Sequence, residues 1–489
     1  MKSDLVQQIT LYKYRYIAGF GVLLIFILAT TTWQFWTLPN GLTEAEMVAA
    51  TSAGHFSLSQ IFSQVVNLPW TVLEWLSIKV FGASTFAFRL PAVILMIFSA
   101  GGLVLLLKKW SRNNIAVISG FLVVTSVFFM SLARAGTPAA MTTFLITTIL
   151  LSALTIIRSV EQFGGDNEKN KMRRSWQAFL AKIVLCVAVS LLCYQAAGAY
   201  LVVMFIAMGI LHPKTRLIFI KSTPWKIIVG TLAGLVVMAP LIIGLITGGW
   251  VAIKEWLALD GAWSLENLRT SVSGLIGFDA SLSGGLVTPL VSVVVLIIII
   301  LGLMRVMTNI FSARSYLVLP LLVATLTLAI WQPNLLYLLF VPLALLTTVG
   351  IETLVREWYN LFPRNPYARL LAVLTLAILI TGLVWTQLTR FGLSQNYSTD
   401  VVYSYNQEYQ AVREVLLQEK SATALVAKPD QQKFYQILQR DFPGLTVATT
   451  PEKDSRNIVL GSAGIQIKDA PIKIVTSPRS KNAVLLRIY

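Results

Sequence analysis

From Ile17 to Leu388 the chain is a succession of apolar runs broken by short polar segments, and every second segment is rich in Lys and Arg. A helix rises about 1.5 Å per residue, so a run of about 20 apolar residues crosses the roughly 30 Å hydrocarbon core of a bilayer. Ile17–Thr32, Val291–Met304 and Leu370–Thr386 approach that length. Only helices and closed barrels satisfy their backbone groups in lipid, and continuous apolar runs are not a barrel signature. The composition agrees, with 56% hydrophobic and 12% charged residues in 489. The expected fold class is an α-helical polytopic membrane protein.

The formal net charge of +17 would suit a nucleic-acid binder, but its distribution excludes that partner. The basic residues fall in short segments between spans, as topology requires, rather than along one groove. Lys2, Lys13 and Arg15 precede the first span, so the N-terminus is expected in the cytoplasm, and because the span runs into Trp33 and Trp36 with no small-residue cleavage site it is expected to be an uncleaved anchor. The next basic clusters are Lys108, Lys109 and Arg112, then Arg158 to Arg174, Lys214 to Lys226, Arg305 and Arg314, and Arg356 to Arg369. They alternate with outer segments through about eleven spans. The hydrophilic stretch 158–176 reads as an inner loop, with 163–171 its most disorder-prone part. Odd parity carries the tail outside, so the protein is expected in the plasma membrane with an extracytoplasmic C-terminus. Cys186 and Cys193 share one span and read as packing residues.

Two domains are expected: a membrane domain over 1–390, with outer stretches 37–89 and 248–285, and a small soluble α/β domain over 391–489. In the tail, NQEYQAVREVLLQE and DQQKFYQILQR have helical period, while ATALVA, LTVAT, NIVLGS, IKIVTS and AVLLRIY are strand-like. VAIKEWLAL and SLENLRTSVSGLIGF in the second outer stretch have amphipathic spacing.

Charges near a bilayer are costly unless solvated or paired, so the acidic residues of the outer face are a short list: Glu44, Glu46, Glu74, Glu255, Asp260, Glu266 and Asp279. Glu44 and Glu46 follow the first span. They admit a general-base reading and a structural one, in which Thr43 caps a helix and both carboxylates lie in its first turn. Arg89 and Arg134 either grip an anion through the planar guanidinium or snorkel to headgroups. Lys254 and Arg269 would extend a cationic outer face. His55 has no second outer His or Cys to complete a metal site, and no metal or other cofactor is indicated. Trp70 and its neighbours suit sugar stacking or interface anchoring alike. P-loop, GxGxxG, GxSxG and HExxH patterns are missing, which removes nucleotide-driven mechanisms.

The order of these features resembles the C-type glycosyltransferases, in the branch of the protein O-mannosyltransferases and the aminoarabinose transferase of lipid A. FGASTFAFRLP matches that branch's G-x-s-x-x-x-x-R-L-P signature through Gly82, Arg89, Leu90 and Pro91. NLPWTVLEW corresponds to its proline-aromatic segment, SLARAGTPAAMTTFL to its alanine-arginine turn, and LLYLLFVPLALL to its R-Y-x-L-P-x-x-P-x-L-A segment. The resemblance implies a GT-C-like membrane domain that moves a sugar from a polyprenyl-phosphate donor to a protein or glycolipid acceptor on the outer face. It implies Glu46 as the base or as an acceptor-positioning carboxylate, with Glu44 its fallback, and Arg89, Arg134, Lys254 and Arg269 as holders of the donor phosphate. His55, Trp70 and Asp260 would contact substrate. The chain departs from the pattern at Ala45, which occupies the place of the family's aspartate, and at Ala135 and Gly136, where many relatives are acidic. Those departures support a second expectation, a non-catalytic relative that binds a lipid-glycan or serves as a scaffold. A transporter, the third, would need more charges in mid-span.

Overall fold

The computed structural model describes residues 15–38, 40–161, 168–211, 224–277, 289–312, 314–361, 366–397, 403–418, 423–451, 456–465, 470–477 and 484–489. The chain begins with α1 (Arg15–Thr32), followed by α2 (Glu44–Gly54), α3 (Leu68–Phe81) and α4 (Thr85–Trp110). Next come α5 (Asn113–Val124), α6 (Val127–Arg134), α7 (Ala139–Glu161), α8 (Glu168–Leu192) and α9 (Gly198–Leu211). Then follow α10 (Pro224–Trp256), α11 (Leu265–Ile276), α12 (Val293–Thr308) and α13 (Ser315–Trp331). A 3₁₀ turn over Pro333–Leu339 leads into α14 (Phe340–Leu361), and α15 (Pro366–Tyr397) closes the helical part.

Among the described residues, six helices are long and apolar enough to cross a membrane, and α5 with α6 forms a seventh, bent by 59°. Four shorter apolar helices, α1, α9, α12 and α13, bring the apolar segments to eleven. The protein is therefore a polytopic helical membrane protein. Its interior is apolar, with Met96, Leu107, Leu145, Leu321 and Leu345 buried. Its outward faces are apolar too, with Leu24, Val236, Ile246 and Leu374 exposed, as lipid contact requires. Close packing of α12 on α14 rests on facing glycines. A Cβ on Gly302 would lie 2.1 Å from the Leu346 carbonyl oxygen, and one on Gly350 would lie 2.0 Å from that of Ile298.

The structure departs from the sequence expectations at three places. The third span is not one helix: Ser126 caps α6 by accepting from the Phe129 amide, and this cap starts a new helix direction. The stretch 158–176 is helical at both ends, because α7 runs to Glu161 and α8 begins at Glu168; 162–167 lie outside the described residues. Beyond the expected boundary at 390, α15 continues to Tyr397.

The tail forms α16 (Glu408–Gln418), β1 (Thr423–Val426), α17 (Gln432–Tyr435), β2 (Leu445–Ala448), β3 (Arg456–Leu460), β4 (Lys473–Thr476) and β5 (Val484–Ile488). The sheet order is β2-β1-β3-β5-β4, with β1 parallel to β2 and β3, and β5 antiparallel to β3 and β4. Its core does not end at the domain's edge. Tyr409, Phe434, Ile437 and Leu438 belong to one buried cluster with Ala50, Ala53, Ile78, Ala83 and Phe88 of the segments that carry α2 to α4. Hydrogen bonds reinforce this seam: Leu42 and Asn406 exchange both backbone bonds, the Ala83 amide donates to Asp441, and Tyr409 Oη donates to the Ala83 carbonyl.

Candidate active site

The site is built where the first span hands over to α2. Thr43 caps α2, its hydroxyl accepting from the Glu46 amide, and the Glu46 carboxylate returns to accept from the Thr43 amide at 2.8 Å. The structural reading of this pair is thus realised. Glu46 is also 1% exposed and does more than cap. Arg89, in the opening turns of α4, donates from Nε to Glu46 Oε1 at 2.8 Å and from Nη2 to Oε2 at 3.2 Å, a bidentate pair. The Gly136 amide donates to Oε1 at 2.9 Å. Arg89, fully buried, also donates to the carbonyls of Phe35 and Gly41. It therefore neither snorkels nor presents its fork to a ligand.

These contacts explain one departure from the family pattern. A Cβ at position 136 would lie 2.8 Å from the Phe88 carbonyl oxygen, so glycine alone lets the turn after α6 approach α4 and give its amide to Glu46. An acidic side chain there would have neither the room nor, beside Glu46, a favourable charge.

Arg134, the last residue of α6, differs from Arg89. It is 3% exposed, donates from Nη2 to the Trp33 carbonyl at 3.2 Å and lies over the Phe391 ring at 4.8 Å. Among the described residues its buried Nε and Nη1 find no hydrogen-bond partner. Among the described residues, Arg89 and the phenol of Tyr405 act on it electrostatically. Burial of an uncompensated cation costs several kcal/mol, so the structure holds a guanidinium with two donor groups unspent.

The remaining expected residues fall elsewhere. Glu44 and Ala45 are both exposed at the start of α2. Lys254, in the last turn of α10, pairs with Asp260 just beyond it at 2.5 Å on an exposed surface. Arg269 is exposed on α11, which packs on α13 and the 3₁₀ turn. Among the described residues no hydrogen bond or ion pair links Lys254, Asp260 or Arg269 to Glu46, Arg89 and Arg134. Residues 278–285 of the second outer stretch, with Asp279, lie outside the described residues. His55 ends α2, where its Nε2 meets the Lys433 carbonyl at 2.7 Å and ties α2 to the tail domain. Trp70 is 1% exposed and offers no face for a sugar.

Three residues escaped the sequence reading of the site. Gly136 supplies an amide, which no side-chain pattern reveals. Tyr405 arrives from the tail, far away in sequence. Glu74 was legible only as one of several acids, yet it is fully buried on α3, one turn beyond Trp70. Among the described residues neither of its carboxylate oxygens, nor the Trp70 indole nitrogen, makes a hydrogen bond of good geometry, although the indole N–H lies close enough to favour the carboxylate. Burial pushes its carboxyl well above the ordinary carboxylate range, the Trp70 indole opposes that rise and the Glu46 charge adds to it.

With this geometry in hand, comparison with known proteins is informative. Residues 68–243 match the family model of the dolichyl-phosphate-mannose-protein mannosyltransferases. The chain superposes on ArnT from Cupriavidus metallidurans in the apo state with a TM-score of 0.55, at 10% identity, covering 96% of this chain and 97% of that one. The chain has the C-type glycosyltransferase fold. The oligosaccharyltransferase AglB from Archaeoglobus fulgidus, in complex with an inhibitory peptide and a dolichol-phosphate, matches with a TM-score of 0.51 at 10% identity, over 90% of this chain and 64% of that one. In the apo form the same archaeal enzyme gives 0.50, with 91% of this chain covered. The chain thus spans 65% of the archaeal protein's length. None of the curated proteins matches the chain in sequence.

Proposed function

We propose that this protein is an integral membrane glycosyltransferase that moves a sugar from a polyprenyl-phosphate donor to a protein or glycolipid acceptor on the extracytoplasmic face. The carrying observation is Arg134, buried with Nε and Nη1 unpartnered at the end of the bundle opposite the basic terminus of α4. A phosphate diester supplies the missing charge and accepts from both donors. The fold supports the reading, as does the dolichol-phosphate in the archaeal oligosaccharyltransferase complex.

In this scheme the acceptor's nucleophilic atom attacks the anomeric carbon, the bond from that carbon to the phosphate oxygen breaks, and polyprenyl phosphate leaves beside Arg134. The acceptor's proton passes to Glu44, the exposed carboxylate next to Ala45. Glu46 and Arg89 act as positioning residues, their mutual bonds fixing the start of α2 against α4 and the Gly136 turn. Arg269 is exposed to a lipid headgroup at the surface, and Lys254 and Asp260 reach a headgroup or an acceptor only by giving up their mutual ion pair.

Ala45 favours a second reading. It is exposed where the resemblance places the aspartate, while Glu46 has both oxygens engaged, an arrangement suited to a subunit that binds a lipid-glycan without turning it over. The two readings separate in one experiment. The protein in nanodiscs is given polyprenyl-phosphate-linked sugars with peptide and lipid acceptors, and transfer is followed for wild type and Glu44→Gln. The expected outcome is transfer by wild type and a drop of about 100-fold in the variant. Undiminished transfer by Glu44→Gln removes Glu44 from the mechanism; saturable donor binding with no transfer by wild type selects the second reading.

A further inference from the structure

Among the described residues, the tail domain reaches the site beside Leu42. Leu42 and Asn406 pair as an antiparallel bridge, with the Leu42 amide 3.0 Å from the Asn406 carbonyl and the Asn406 amide 2.7 Å from the Leu42 carbonyl. In that antiparallel sense Tyr405 runs alongside Thr43, the residue bonded to Glu46. Gly41, on the other side of Leu42, gives its carbonyl to Arg89 at 2.6 Å. The bridge is thus threaded between the two halves of the Glu46–Arg89 pair and carries Tyr405 into electrostatic reach of Glu46, Arg89 and Arg134. Tyr405 is half-buried, whereas Arg134 is almost wholly so.

The state of the phenol follows from its surroundings. Burial pushes its pKa above the ordinary tyrosine value, Glu46 adds to the rise, and Arg89 and Arg134 oppose it. The hydroxyl therefore keeps its proton at neutral pH and is a hydrogen-bond donor. Arg134 has two donor groups with nothing to bind. A neutral donor beside an unpaired cation stabilises an anion and offers little to a neutral or cationic group.

We infer that Tyr405 is a binding residue for the lipid-linked phosphate: its hydroxyl and the Nε and Nη1 of Arg134 converge on one phosphate group, so that the C-terminal domain supplies part of the donor site. This rests on the reading of Arg134 given above and adds a specific task for the tail. The Leu42–Asn406 bridge, the Asp441 bond to Ala83 and the Tyr409 bond to Ala83 hold Tyr405 in register.

The test uses the full chain in nanodiscs and two probes, a polyprenyl monophosphate and the uncharged polyprenol of the same length, with inorganic phosphate as competitor. Wild type is expected to prefer the phosphorylated lipid, and equimolar inorganic phosphate is expected not to displace it. Tyr405→Phe keeps the ring and is expected to weaken phosphorylated-lipid binding about tenfold or more, the worth of a hydrogen bond to a charged group. Its polyprenol binding and melting temperature should be unchanged. Arg134→Met is expected to abolish the preference. If Tyr405→Phe binds like wild type while Arg134→Met loses the preference, the inference fails and the anion site stands. If both variants keep the preference, the anion site fails with it. Equal weakening for both lipids makes Tyr405 structural and overturns the inference, and displacement by equimolar inorganic phosphate overturns the lipid as its source.

Discussion

Arg89 and Arg134 are both buried arginines, placed at the ends of neighbouring helical segments on the same end of the bundle, yet the protein treats them oppositely. Arg89 receives a bidentate carboxylate and the carbonyls of Phe35 and Gly41. Arg134 receives one carbonyl and a phenyl face, with two donor groups left over. Desolvating either cation is costly. For Arg89 the chain itself offsets that cost and gains a rigid junction of α2, α4 and the Gly136 turn. For Arg134 no such offset is found among the described residues, which is the basis of the phosphate site proposed for it.

The comparison predicts opposite signs on truncation. Glu46→Ala strands Arg89 uncompensated in the interior and removes a helix cap, so stability should fall by about 3–5 kcal/mol, read from unfolding of the purified protein. A loss below about 1 kcal/mol would mean that the pair contributes little. Arg134→Met removes buried unsatisfied donors and should leave stability unchanged or raise it by about 1–3 kcal/mol, while binding of a phosphorylated lipid is lost. Destabilisation matching that of Glu46→Ala would place a structural partner at Arg134 and dissolve the distinction.

Much of the architecture was legible because lipid makes strong demands on sequence. Apolar runs and flanking basic residues marked the eleven apolar segments, and period-2 and period-3.6 patterns marked the five described strands and α16 of the tail, while DQQKFYQILQR is α-helical only over Gln432–Tyr435 and continues as a 3₁₀ turn. The interruption at Thr125 and Ser126 was hidden, because both residues are tolerated within a span when they bond back to the preceding turn, as Thr125 does to Phe121. The site was legible in part. FRLP led to Arg89 and the alanine-arginine turn led to Arg134, but residue type alone does not distinguish a paired arginine from an unpaired one. That difference depends on a glycine amide at 136, a backbone carbonyl at 41 and a loop at 405, all contributed by distant segments. Trp70 shows the converse: an aromatic at a plausible depth for sugar stacking turned inward to fill the core.

Glu74 offers the smallest and most finely graded comparison, this time with Glu46. Glu46 has both oxygens firmly bonded, whereas among the described residues Glu74 has only the Trp70 indole close by, with no bond of good geometry on either oxygen. The folded protein therefore favours the protonated form of Glu74, whose pKa lies above its value in the unfolded chain. Between those two values the unfolded state has released its proton and the folded state has kept it, so stability falls as pH rises, by up to about 1.4 kcal/mol per pH unit. Below the unfolded-state value both states are protonated and the dependence vanishes. Glu74→Gln preserves the shape and cannot ionise, so it should flatten this part of the pH–stability curve. Wild type and variant should converge near pH 4, and the variant should be the more stable at pH 7 and above. The measurement is the melting temperature of both proteins across pH 4 to 8. Parallel curves would mean that Glu74 is ionised in the folded state and has a partner, and the contrast between the two buried carboxylates would disappear.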